Sequence, residues 1–350
     1  MTAMAAAANQ PPIMDQDFSN QHWQGHDFSG AVFINCRFSQ CVFERCLLQR
    51  AVFVDCDFSH AKVQDCHTDQ ANWIRCQASA SQWLGAINIA TWCECDLSQS
   101  HWQCQLYAAT LSQCNVSAAQ WQSCRFNTVN LSEITSAELA INQCNFQNVV
   151  WTKTDFSTIH MAEVHFTKAL LLHCIFHGND LSQLSLSQCT CNGSRFQQVN
   201  FQAANLEASG FSECEIHACD FSKANLKQAL FLQAKITDSQ FTACQASQAN
   251  FQQATLSQCH FDQACLEMAW LKQVNMEGCE FTEADCRYLN ASLGQFKDCN
   301  FSRVRLQQSN FHAAKYKHCR WSGVDLSQRI DTDPQQQQQQ QAFEQYGVST

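Results

Sequence analysis

The chain has 350 residues and a formal net charge of −10, from 31 acidic and 21 basic residues. That balance argues against a surface built to bind phosphate directly, and a hydrophobic content of 45% excludes a wholly disordered chain. Only 15% of the residues are charged, so the polar surface must be made of Gln, Ser, Asn and His.

Residues 1–16 read as a flexible N-terminal lead, ended by Pro11 and Pro12. The lead has no basic stretch and no long apolar run, so it is a poor secretory signal. No later segment approaches a membrane span. From Phe18 a large apolar residue then returns at every fifth position, through Trp23, Phe28, Phe33, Phe38, Phe43 and Leu48 to Trp83. Two residues before most of these centres sits a small one, such as Ala31, Cys36, Cys41, Cys46 or Ala51. One residue is missing near 84–86, and the beat resumes at Ile87, Trp92, Leu97 and Trp102. A second is missing near 103–105. From Leu106 to Leu326 the frame never slips.

Phenylalanine tests the frame: 24 of the 25 sit at centres. A period of five fits neither the 3.6 of a helix nor the 2.0 of a strand. So short a self-similar unit means a solenoid. No proline occurs between Pro12 and Pro334, as expected where backbone N–H groups are needed in ladders between coils. Residues 329–350 form a Gln-rich C-terminal tail. Asp331 to Pro334 reads as a terminator, and Gln335 to Gln341 is a low-complexity run. Three readings stay open for Ala342 to Thr350: a cap on the last coil, pairing with a second chain, or disorder.

The 24 cysteines are not spaced as a disulfide framework or as zinc pairs. Twenty of them fall at the small position, and Cys191 and Cys286 are centres. Free cysteine is small and easily buried, so reduced core thiols in a cytoplasmic protein are expected.

Units such as Ala204-Asn205-Leu206-Glu207-Ala208 and Ala224-Asn225-Leu226-Lys227-Gln228 resemble the pentapeptide-repeat family, whose pattern is A-(D/N)-L-x-x. The resemblance implies an all-β fold: a right-handed quadrilateral parallel β-helix over residues 17–328, a single rod of about 16 coils of twenty residues. The centre and the residue two before it would point inward, and residues twenty apart would stack. Phe201, Phe221, Phe241, Phe261, Phe281, Phe301 and Trp321 should then form one core column, and Cys259, Cys279, Cys299 and Cys319 another. Thiols stacked in register point the same way, so a disulfide between neighbours would be strained. The two omissions should change the local twist, kink the rod or flank a nonstandard coil.

No catalytic constellation, cofactor motif or metal motif stands out, so the chain does not read as an enzyme. His160, His165, His173 and His177 fall at outward positions on different sides. Asp155, Asp180, Asp220 and Asp325 occupy the position before a centre, where a structural role comes first.

The residues flanking each centre, sorted by side, single out one side. It carries Val32, Ile34, Val52, Val54, Ile74, Val150, Leu170, Leu172, Leu230, Leu232 and Trp270. The other three sides show only Val42, Leu47, Leu84, Tyr107 and Ile175. So lopsided a distribution of apolar side chains points to an interaction face, for protein partners or a homodimer; the other reading is that β-branched residues only support strand structure there. The expected function is a non-catalytic scaffold that binds protein partners. Family resemblance implies an alternative, a DNA mimic that binds gyrase or another type II topoisomerase. A duplex of about 75 Å would carry roughly 44 negative charges, however, far more than this chain. A further alternative is an accessory of a bacterial secretion or toxin-delivery system. No direct nucleic-acid binding and no membrane contact are expected.

Overall fold

Each centre and its small partner face inward because they are the two places of the unit that are regularly apolar, and burying both makes a coil. The computed structural model describes residues 11–182 and 184–332. Its all-β parallel solenoid has about 15 turns. Two compact units, Met1–Ile175 and Phe176–Thr350, are described separately.

The corners follow a rule. The residue two past a centre is left-handed, as at Gln40 (φ 57°), Gln233 (φ 57°) and Asp298 (φ 53°). This conformation costs a non-glycine residue roughly 1–2 kcal/mol. It also aims backbone N–H groups along the solenoid axis, as in Phe38 N–H to Asp57 C=O (2.6 Å) and Gln40 N–H to Ser59 C=O (2.9 Å). Satisfied ladders of this kind keep an extended backbone buried.

In the first unit, two opposite sides carry three-residue strands. One sheet of nine runs from Ile13–Met14 through Val32–Ile34 and Val52–Val54 to Leu170–Leu172. The facing sheet begins at His22–Gln24 and Val42–Glu44. Of the remaining sides, one is joined by single bridges such as Arg37↔Asp57; the other begins with bridges such as Leu47↔His67 and then carries strands at Arg125–Asn127, Asn145–Gln147 and His165–Thr167. In the second unit one side carries strands, from Ile175–His177 to Lys315–Lys317, and bridges join the others.

The solenoid begins earlier than expected. Ile13 and Met14 pair with Phe33 and Ile34, so the flexible lead does not reach residue 16. Pro334, the glutamine run and Ala342–Thr350 lie outside the described residues.

The two omissions fall in one place. Gln82–Asn88 and His101–Tyr107 are continuous seven-residue strands that run straight across a corner. They pair with each other along their whole length, Gln82↔His101 through Asn88↔Tyr107. The next step, His101↔Gln120, again spans 19 residues. The result is two adjacent nonstandard coils sharing a shortened corner. Four buried tryptophans pack around it: Trp73 stacks on Trp92 (4.9 Å, 5°) and Trp83 on Trp102 (5.4 Å, 22°). The Nε1–H groups of Trp83 and Trp102 donate to Ser81 and Ser100 at 2.8 Å.

The core columns of the second unit are continuous. Phe201, Phe221, Phe241, Phe261, Phe281, Phe301 and Trp321 stack at 4.4–5.0 Å, 5–13° from parallel. Phe211, Phe231 and Phe251 stack beside them and meet the first column edge-on at about 6 Å. Each buried phenylalanine contributes roughly 1.5–3 kcal/mol. The column ends under Arg329, whose guanidinium carbon lies 5.2 Å from the Trp321 ring centre and 5.3 Å from that of Tyr316. A cation over aromatic rings closes the apolar end, and Asp331 pairs with it at 2.8 Å.

All 24 cysteines are free thiols. Cys259, Cys279 and Cys299 are buried, and Cys319 is half-buried near the end. Each donates to the carbonyl two residues back and to one in the preceding coil, as Cys259 does to Ser257 (3.4 Å) and Ile236 (3.6 Å). Most such thiols follow a strand. On bridged sides a backbone N–H bonds the centre instead, as Ala204 N–H does with Phe201 C=O (2.9 Å).

Candidate interaction face

The apolar flanking residues of the first unit are spread along one sheet by its register. Val32 pairs with Val52, and Ile34 with Val54, which pairs in turn with Ile74. The omissions do not disturb this order, because Asn72 pairs with Thr91 and Thr91 with Thr110. Farther along, Val150 pairs with Leu170, and Leu172 with Thr152. Ile34, Val54 and Ile74 are half-buried, and Met14 extends their ribbon at 50% exposure. The sequence reading had placed Met14 in the lead and so missed it. Between Ile74 and Val150 the flanking places of the sheet hold Thr91, Cys93, Thr110, Ser112, Asn130 and Ser132.

A charged column borders this sheet at its left-handed corners. Arg75 holds Asp55 through two hydrogen bonds (2.8 and 2.9 Å), and Lys153 holds Glu133 at 2.6 Å. These hydrogen bonds keep the Asp55 and Glu133 carboxyls below their ordinary range. An apolar strip beside a polar rim is the usual anatomy of a protein interface.

In the second unit the corresponding flanking column reads Thr190, Gly210, Leu230, Asn250, Trp270, Asn290 and Asn310, joined by bridges. Leu230 is 41% and Trp270 48% exposed, and Leu232 is half-buried. Met268 and Tyr288 stand beside them at the corner, 46% and 40% exposed. Sorting only the immediate neighbours of each centre missed both, since they lie two residues past one. Ile89 is a third exposed apolar residue at such a place. Reading the fifth place of the repeat, two past the centre, as outward would have found all three.

The other candidates are structural or scattered. Asp155, Asp180, Asp220 and Asp325 each accept the backbone N–H two residues on, at 2.8–3.1 Å. Bonding by Ser182 and Ser327 holds Asp180 and Asp325 below the ordinary carboxylate range. His160, His165, His173 and His177 are all exposed. Among the described residues, no group of three or more His, Cys, Asp or Glu is placed to hold a metal ion. None of their helices is long and apolar enough to cross a membrane.

Comparison with known family models agrees with the five-residue repeat. A family model described as "Pentapeptide repeat region" matches residues 166–241 and 186–261. Models described as "Pentapeptide repeats" match residues 18–62, with nine copies, and 279–315, with eight. Together they cover about half of the chain. Among curated proteins none matches. Among solved structures, QnrB1, a plasmid-mediated fluoroquinolone resistance protein, is 16% identical, with a TM-score of 0.43 over 52% of this chain and 92% of its own. HetL, a pentapeptide repeat protein involved in heterocyst differentiation regulation in the cyanobacterium Nostoc sp. strain PCC 7120, is 17% identical. Its TM-score is 0.30, over 64% of this chain and 90% of its own. Rfr23 from the cyanobacterium Cyanothece 51142 is 16% identical, with a TM-score of 0.28 over 38% of this chain and 90% of its own.

Proposed function

This chain belongs to the pentapeptide-repeat family, and we propose that it is a non-catalytic scaffold whose flat sides bind protein partners, a second copy of the chain among them. One observation carries the reading: the gathering of exposed and half-buried apolar side chains on one side of each unit, at Ile34, Val54, Ile74, Leu170 and Leu172 in the first and Leu230, Leu232 and Trp270 in the second. Apolar surface gathered in this way gains by being covered.

The charge pattern favours this reading over duplex mimicry. Several acids that face outward are answered by a base in the neighbouring coil, as in Arg75–Asp55, Lys153–Glu133 and Arg303–Glu283. A surface neutralised pair by pair presents no continuous negative stripe. The test replaces Leu170, Leu172, Leu230 and Leu232 with Ser, then measures oligomer size and capture of a purified partner. Loss of either is expected, and no change in both excludes this side as an interface. A supercoiling assay tests the alternative, for which protection of gyrase at micromolar protein would be the sign.

A further inference from the structure

The exposed corner of the second unit differs from the rest of the solenoid surface. Leu230, Met268, Trp270 and Tyr288 surround a shallow depression of about 590 Å³. Exposed tryptophan and tyrosine are the side chains that most often anchor a bound partner. Across the depression apolar side chains and amides alternate: Leu230, Asn250, Trp270 and Asn290 are bridged in that order.

The amides are committed unevenly. The side-chain oxygen of Asn250 accepts the Gln252 N–H (2.9 Å), and that of Asn290 accepts the Ser292 N–H (3.1 Å). The Gln248 oxygen accepts from Gln228 (2.9 Å). Elsewhere in this unit an asparagine Nδ2 donates to the residue twenty before it, as Asn200 does to Asp180 (3.0 Å) and Asn225 to Asn205 (3.2 Å). For Asn250 and Asn290 that place is held by Leu230 and Trp270, which have no acceptor. Neither Nδ2 group, nor the Trp270 Nε1–H, has an acceptor among the described residues. The depression therefore offers rings and donors, while most of its acceptors are occupied.

A proline-rich segment has the opposite inventory. Its carbonyls are solvated acceptors, its prolines have no N–H to satisfy, and its rings are apolar. The spacing agrees too. Leu230 and Trp270 are two coils apart, roughly 9.6 Å at strand spacing, and one turn of polyproline II advances about 9.3 Å. Aromatic grooves with well-placed donors are a general way of holding such segments. We infer that the Leu230–Trp270–Tyr288 depression binds an extended proline-rich segment of a partner, with Asn250 and Asn290 donating to its carbonyls. The inference rests on the partner-binding reading and names the partner's chemistry.

The test is calorimetric titration of the full chain with a capped poly-L-proline peptide of about ten residues. A Gly–Ser peptide of equal length and a neutral oligosaccharide are the comparisons. Trp270→Ala and the Asn250→Ala/Asn290→Ala pair alter exposed or half-exposed side chains outside the core. Saturable binding of the proline peptide, weakened at least tenfold in both variants, is the expected result. No saturable binding, equal binding of the Gly–Ser peptide, binding of the oligosaccharide alone, or indifference to Trp270→Ala would overturn the inference. Leu170→Ser/Leu172→Ser alters the other unit and should leave peptide binding unchanged; a loss there would also overturn it. That variant's oligomer size and partner capture report on the scaffold reading independently of the peptide.

Discussion

Gly85 and Cys104 are partners in the ladder between the Gln82–Asn88 and His101–Tyr107 strands, so both sequence omissions act on one corner of two neighbouring coils. Where the turn has been removed, Cys104 is buried and Gly85 half-buried. Gly85 lies at φ +99°, and a Cβ there would come within 2.8 Å of Asp65 Oδ1 and 3.2 Å of the Asp65 Cα.

Gly85→Ala should therefore destabilise the first unit by about 1–3 kcal/mol, the usual cost of a strained backbone site. The Asp65 carboxylate can swing away, but its backbone cannot. Thermal and denaturant unfolding of the two proteins checks this. A midpoint equal to that of the unaltered chain would show that the corner tolerates a side chain.

Asp285 is nearly buried, at 6% exposure. Burial alone would raise its pKa. The Arg287 hydrogen bonds (2.8–3.2 Å) and the Arg305 guanidinium (3.0 Å) outweigh burial and hold the carboxyl below its ordinary value. A carboxyl depressed in the folded state contributes stability that is complete above the unfolded pKa, about 3.9. That stability is lost as pH falls through the folded value. Asp285→Asn should thus melt lower than the unaltered chain at neutral pH, and the gap should close below about pH 4. Melting curves from pH 3 to 7 decide it; a gap independent of pH would mean that the charge is not what matters.

The thiols should be chemically quiet while the chain is folded. Burial pushes Cys41 and Cys219 up to about 11 and Cys174 and Cys214 to about 12, and only the thiolate is reactive. Hydrogen bonds from neighbouring thiols pull Cys46, Cys56, Cys95 and Cys144 below the ordinary value, but all four are buried away from a reagent. Of the 24 thiols, only Cys93, Cys265 and Cys319 are less than fully buried. At pH 7 a thiol reagent should modify at most these three quickly, and all 24 after denaturation. Rapid modification of ten or more in the native protein would contradict the packing.

The inward residues were legible because burial demands apolar character at a fixed interval. Phe241 shows this, stacked between Phe221 and Phe261. Which sides would carry strands was hidden, since every side is written in the same five-letter unit. Cysteine is a partial signal: it tends to follow a strand, where its S–H can reach a carbonyl two residues back, as at Cys56 and Val54 (3.3 Å). Met268 and Tyr288 were missed for a different reason. Their outward direction depends on the left-handed corner (φ 57° and 58°), which a pattern of flanking residues does not encode.

The spacing of Phe, Trp and Leu by itself determined that the chain is a solenoid with its centres inside, because no other backbone buries a residue at each fifth place. Only the folded chain decided that the two missing residues share one corner, that Ile13 and Met14 join the first sheet, and that Leu230, Met268, Trp270 and Tyr288 meet. Those are relations between coils about twenty residues apart. They are set by hydrogen-bond register and corner geometry, which act across the stack rather than along the sequence.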